Sequence, residues 1–243
     1  MAVAVYHLLS QKIDTSAEEK YLLFALFHAS RKTFSNVKTS IAEAWIPENL
    51  SESAFYNKET WNSHSLFDNH KDTETFLGIL DGCFLGAYAV GLYLSGFLGD
   101  RFDPRKVISL GMFSSAITVL LFGFVTEICK FYNKGFYIFI WLVGGLTQST
   151  GWPNEVCIMG NWFGKGSRGL LMGIWSSCAS IGNIIGSYLS AAFLIYGYEY
   201  TFLVAGSMLI AGAVMMWFGL VSAPRELGLP DPQESDSTGK STK

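Results

Sequence analysis

Arg31 and Lys32 stand side by side within Tyr21–Val37 (YLLFALFHASRKTFSNV), directly after an apolar run. Two chemistries are open to such a pair. A charge carried into hydrocarbon costs roughly 2.5–3.5 kcal/mol on insertion scales and persists where it faces a cavity, a partner or an anionic substrate. Alternatively, the stems lie along apolar surface while the charged heads reach lipid headgroups. Two acids fall in similar surroundings. Asp81, inside 76–98, reads as a coupling or gating acid, or as an acid near a helix end that is solvated or bonded to a neighbour. Glu155, behind Pro153, is the second candidate coupling acid.

The elements that must position these groups are membrane helices. Only 15% of the 243 residues are charged and 50% are hydrophobic, whereas a soluble domain carries about 25% charge. Apolar runs of about 20 residues, enough to cross a bilayer core, separate the charged stretches. The expected layout is a cytoplasmic tail over 1–20 and a membrane domain over 21–221, followed by a polar, disordered cytoplasmic tail over 222–243. Spans are expected near 21–39, 76–98, 107–126, 136–160, 170–195 and 200–221, with a polar loop at 40–75. The first is the least complete, because only Tyr21–Ala29 is apolar before Arg31. Gly78, Gly82 and Gly86 recur every fourth residue, which predicts close approach of a neighbouring helix. Pro153 predicts a kink in the fourth span.

Lys and Arg set the orientation. Arg101, Arg105 and Lys106 lie between spans two and three, and Lys165 and Arg168 between four and five. These connections are therefore expected in the cytosol, with both termini. The loop at 40–75 then faces the lumen or the exterior, where Asn49-Leu50-Ser51 is a candidate glycosylation site.

Catalytic chemistry finds no constellation. In GNWFGKGSRG (160–169) a phosphate loop would need glycine in place of Met159 and Ser or Thr in place of Gly166. No nucleophile elbow, zinc motif or dinucleotide fingerprint occurs. The four cysteines lie far apart and form no CxxC or Cys/His cluster. No catalytic residue, metal, cofactor or nucleic-acid partner is expected.

The most specific local motif is GFLGDRFDPRK at 96–106. Gly96 and Gly99 predict close helix approach, Asp100 a cap or an ionic partner, and Arg101 and Arg105 a positive cytoplasmic edge. The motif resembles the G-x-L-x-D-R-x-G-R-K signature of the major facilitator superfamily, with Asp103 where the second glycine is usual. Arg31-Lys32-x-Phe34, Gly151-Trp152-Pro153, Asn161-Trp162-Phe163 with Arg168-Gly169, and Trp175 with Gly182-Asn183 extend the resemblance. Together they are similar to the organophosphate:phosphate antiporter family, above all its eukaryotic sugar phosphate exchangers, over roughly 23–229.

That resemblance implies an all-α membrane protein, the N-terminal six-helix bundle of a twelve-helix transporter, built from two three-helix repeats. It implies transport of organophosphate or sugar-phosphate anions, by exchange with inorganic phosphate, in the full-length protein. Arg31 is then the phosphate ligand, with Lys32 beside it and His28 one turn earlier, and Tyr88, Trp152 and Trp175 match aromatic positions of the family cavity. Gly96, Asp100, Arg101 and Arg105 would form the conformational motif. Departures stand at Leu92, where bacterial members carry a lysine, at Ser177–Ser180, where several carry a histidine, and at His28, where bacterial members have tyrosine. The implied membrane is the endoplasmic reticulum, with the lysosome second. Two other readings stay open: a non-transporting binding protein with a membrane-protein partner, and an inactive truncated form.

Overall fold

The computed structural model describes residues 2–46, 66–162 and 168–228. Among them the regular structure is helical, with no strand. The helices are α1 (Ala2–Ala44), α2 (His70–Arg101), α3 (Pro104–Leu120), α4 (Thr126–Cys129), α5 (Lys134–Gln148), α6 (Gly151–Trp162), α7 (Arg168–Leu194) and α8 (Tyr198–Gly219). A π-helical stretch, Leu121–Val125, joins α3 to α4, so these form the third span. With α5 and α6 as the fourth, six helical units result among the described residues. In hydrocarbon each backbone polar group needs an internal partner, which an unbroken helix supplies.

Local chemistry fixes the helix ends. The Asn69 side chain accepts the Asp72 N–H at 2.9 Å, and that of Asn133 accepts the Phe136 N–H at 2.9 Å. Asp103 caps α3 by accepting the Arg105 N–H at 3.1 Å, with Pro104 in the first turn, where its missing N–H costs nothing. The fourth span breaks at Ser149-Thr150. A proline ring clashes with the carbonyl four residues earlier, and for Pro153 that residue is Ser149.

Three parts of the expected layout differ. The tail expected to be disordered over 222–243 begins with a buried Ser222 and a 3-10 helix, Pro224–Leu227. Residues 2–20, read as a tail, continue α1 without interruption; they contain neither Gly nor Pro to break it. At 43 residues α1 is about twice as long as a bilayer core requires. The loop expected at 40–75 is shorter at both ends, because α1 runs to Ala44 and α2 begins at His70.

Helix pairing shows two repeats. The first span packs along α7 and against α8, the second along α5 and against α6, and the third along α8 and against α5. Exchanging the first three spans for the last three maps this set onto itself. Span pair 1–5 becomes 4–2, 1–6 becomes 4–3, and 3–6 maps to itself. The α1–α7 seam closes on glycine: Gly182 lies against the Ala25 carbonyl and Gly186 against that of Ala29, so a methyl group at either would strike backbone.

The stripe of Gly78, Gly82 and Gly86 does not pack in this way. Each faces open space, with nothing within 4 Å of an added Cβ. The face of α2 that packs carries Leu77, Leu80, Phe84, Ala87 and Gly91, close to the 3.6-residue period. Large apolar side chains such as Leu85, Tyr93 and Phe97 on α2, Ile184 on α7 and Phe218 on α8 point outward, as lipid permits.

Candidate functional site

The face of α1 turned toward α2 and α5 carries Arg31, Phe34 and Lys38. Below Arg31 lies an aromatic floor, with ring centroids 4.5 Å apart for Phe34 and Trp141 and 4.2 Å for Trp141 and Phe122. Above that floor is a cavity of about 220 Å³, lined by Arg31, Phe34, Asp81, Phe84, Thr118 and Gln148 among others.

Among the described residues Arg31 meets only neutral groups. Its Nε donates to Gln148 Oε1 at 3.2 Å, and its guanidinium carbon lies 4.5 Å from the Tyr88 ring centroid and 5.4 Å from that of Phe84. Cation–π contacts of this kind hold a planar cation without neutralising it. Gln148 is buried at the end of α5, immediately before the proline-induced break, and its amide donates to Ser30 Oγ at 3.5 Å. The other guanidinium N–H groups have no acceptor among the described residues, and no carboxylate pairs with Arg31. A guanidinium fork with free donors, bordering a cavity, suits a carboxylate or phosphate bidentately.

Lys38 differs, because Asp81 of α2 pairs with it directly. Of the two arrangements open to Asp81, the structure has the bonded one, although the residue also lines the cavity. This pair also explains how α1 tolerates a cation beyond Arg31.

The remaining expected ligands are scattered. Lys32 is half-buried and makes no hydrogen bond or ion pair among the described residues. His28 is half-buried, its ring 6.1 Å from that of Phe24. Trp152 is exposed on α6, and Trp175 is buried against Tyr21, centroids 5.8 Å apart. Neither tryptophan lines the Arg31 cavity, and of the expected ligands Arg31 alone lines it, with Tyr88 touching the guanidinium from outside the lining.

In the turn between α2 and α3, the capping role expected of Asp100 belongs to Asp103, one residue before Pro104; Asp100 is exposed. Asp103 also accepts Ser222 Oγ–H at 2.6 Å, and Arg105 donates to the Leu220 carbonyl at 3.3 Å, so the motif grips the end of α8. Arg101 lies over Phe97 at 4.2 Å. Close approach occurs at Gly99, which abuts Asn154, and not at Gly96, which faces open space. Asn154 is fully buried and donates to Ser95 Oγ at 2.9 Å and to the Thr150 carbonyl at 2.8 Å.

Three features escaped the sequence reading: the partnership of Arg31 with Gln148, the Lys38–Asp81 pair, and a cluster around Glu127. The seven-residue spacing of Arg31 and Lys38, two helical turns, was the available signal for a shared face. Glu127 accepts Tyr132 Oη–H at 2.9 Å, Tyr198 Oη–H at 2.6 Å and a Lys130 ammonium hydrogen at 2.9 Å, joining the end of the third span to the start of α8. Asn49, Lys165 and the Arg168 side chain lie outside the described residues.

The sequence model described as Major Facilitator Superfamily matches residues 24–242. The chain belongs to that superfamily. Among superfamily relatives, sugar phosphate exchanger 3 of Xenopus laevis is 54% identical over 218 residues, covering 89% of this chain and 43% of that protein. The human protein of the same name is 52% identical, over 86% of this chain and 42% of its own length. A glucose-6-phosphate exchanger of Xenopus laevis is 38% identical, over 89% and 43%. The chain thus spans less than half the length of these relatives. Among solved structures, the inward-open xylose transporter XylE of Escherichia coli superimposes with a TM-score of 0.65 at 16% identity, covering 90% of this chain and 50% of that one. At that identity the likeness is one of fold. The chain is a multi-pass membrane protein of superfamily architecture, with helices α2, α3–α4, α7 and α8 each long and apolar enough to cross a bilayer.

Proposed function

We propose that this chain supplies the N-terminal, anion-binding half of an organophosphate transporter, with Arg31 holding the phosphoryl group and inorganic phosphate as the exchanged ion. The observation that carries this reading is the state of Arg31. It borders a cavity of about 220 Å³, fixed by Gln148 and by two aromatic rings, with its charge unneutralised. Its neighbour Lys38 is already paired with Asp81, so the charge offered to a guest centres on Arg31. The names of the relatives support sugar phosphates as the guests. Lys32 and His28 are candidate second contacts, and Trp152 and Trp175 would serve as cavity walls after helix movement.

The test uses proteoliposomes holding a protein in which this chain is joined to a second six-helix half, loaded with inorganic phosphate. Uptake of labelled glucose 6-phosphate is the readout. Exchange that Arg31→Ala abolishes supports the assignment; unchanged exchange in that variant overturns it.

One observation favours a second reading, a membrane-protein partner. The stripe of Gly78, Gly82 and Gly86 meets nothing in the described chain, and small residues at this spacing suit a further transmembrane helix. The distribution of Lys and Arg supports cytoplasmic termini, and the resemblance favours the endoplasmic reticulum over the lysosome. With this orientation, endoglycosidase treatment shifts the gel mobility of the protein from cells, and Asn49→Gln removes the shift.

A further inference from the structure

Glu155 lies on α6 beyond the Pro153 break, 4% exposed, with neither carboxyl oxygen hydrogen-bonded among the described residues. It borders a pocket of about 20 Å³, separate from the Arg31 cavity, walled by Phe24 of α1, Ile108 of α3, Trp175 of α7, and Met216 and Leu220 at the α8 end. The buried Trp175 Nε1–H also lacks an acceptor. The pocket is therefore bordered by a carboxyl and an indole N–H that both lack a hydrogen-bond partner among the described residues. The volume admits about one water molecule, so no phosphorylated guest fits.

Among the described residues, the groups facing Glu155 supply no cation. The walls from α1, α3 and α8 are apolar. From α7 the wall is Trp175, and the buried Cys178 thiol lies about one turn further along that helix. Above Leu220 stand Asp103 and Arg105, engaged with the turn at 220–222 and with each other at 3.5 Å. An ionised carboxylate in this pocket would lie in a low dielectric with no counter-charge, an arrangement that a protein avoids by neutralising the group.

We propose that Glu155 and Trp175 form a proton-binding site, protonated in the packing seen here and emptied when the turn at 220–222 releases. The step is an acid dissociation. The Oε–H bond breaks and its electron pair stays on oxygen. The proton leaves to water admitted past Leu220, and the Trp175 indole N–H donates to the carboxylate left behind. The turn is the physical link. The Leu220 side chain lines the pocket while its carbonyl accepts from Arg105, and the Trp162 indole donates to the Val221 carbonyl at 3.0 Å. Proton occupancy of Glu155 is thereby tied to the motif that grips α8. The site does not depend on the anion assigned to Arg31.

Infrared spectroscopy of the purified chain in lipid nanodiscs, in D₂O at neutral pH, tests the site without any transport measurement. Wild type is expected to show the carbonyl stretch of a protonated carboxylic acid, and Glu155→Gln to lack it. Absence of that band from wild type, or its persistence in Glu155→Gln, overturns the proposal. Titrating the band gives a second readout. Trp175→Phe removes the donor that stabilises the ionised form, so its band should persist to higher pH than in wild type. Arg105→Ala loosens the turn, so its band should be lost at lower pH. An unchanged Trp175→Phe titration overturns the indole's part, and an unchanged Arg105→Ala titration overturns the link to the turn.

Discussion

Arg31 and Glu155 are both ionisable groups carried into the membrane region, yet the fold houses them in opposite ways. Arg31 is held by neutral partners, Gln148 on one side and the Tyr88 and Phe84 rings on another, beside a cavity of about 220 Å³. Glu155 is held by apolar side chains around about 20 Å³, with no hydrogen-bond partner for either oxygen among the described residues. Arginine cannot shed its charge, so a protein that keeps one unpaired in the membrane must supply polarisable walls and a place for an anion. A carboxyl has another route, because it can bind a proton. The difference in volume fits the two proposed guests, a polyatomic anion at Arg31 and a proton at Glu155.

Removing the Arg31 cation should break the comparison most sharply. In Arg31→Ala, charge-assisted hydrogen bonds of about 1.5–3 kcal/mol are lost, which corresponds to a roughly ten- to hundredfold weaker affinity for glucose 6-phosphate or inorganic phosphate. Equilibrium binding to the protein in nanodiscs measures this loss. Arg31→Lys keeps the charge but not the fork, and an intermediate affinity is expected.

The frame that holds Arg31 can be broken separately. Gly182→Val or Gly186→Val inserts methyl groups against the α1 backbone, which over-packing data place at about 1–3 kcal/mol of destabilisation. A lower thermal transition of the purified variant, together with weaker anion binding, is expected. A stable variant with wild-type binding would show that the seam does not position Arg31.

The smallest effect is expected at Asp81. Asp81→Asn releases Lys38 beside the cavity, adding positive charge without moving Arg31. Affinity for phosphate should rise about two- to fivefold at low ionic strength and return toward wild type in high salt, since exposed pairs contribute about 0–1 kcal/mol. A salt-independent change, or a loss of affinity, would mean that Asp81 shapes the site rather than balancing its charge.

How far the sequence reading reached depends on the range of the interaction. Asn69, Asn133 and Asp103 cap helices within three residues of themselves, and Pro153 breaks the helix at the residue four positions back. Such effects are visible in any short window. The glycine stripe at 78, 82 and 86 has the right spacing for packing and yet meets nothing, because spacing defines a face without saying what stands opposite. Gln148 carries no signal in any short window, since its partner Arg31 lies on another helix.

The sequence alone determined the class of the protein, the break at Pro153 and the anomaly of cations in the first helix, because hydropathy and proline act locally. It also carried the motif between α2 and α3, whose residues are contiguous. The tertiary structure alone decided which charges are cancelled. Lys38 and Asp81 are 43 positions apart, and Arg31 and Gln148 are 117 apart. Whether a membrane charge meets an opposite charge, an amide or an empty cavity follows from how helices pair, and in this fold that pairing joins first span to fifth and second to fourth.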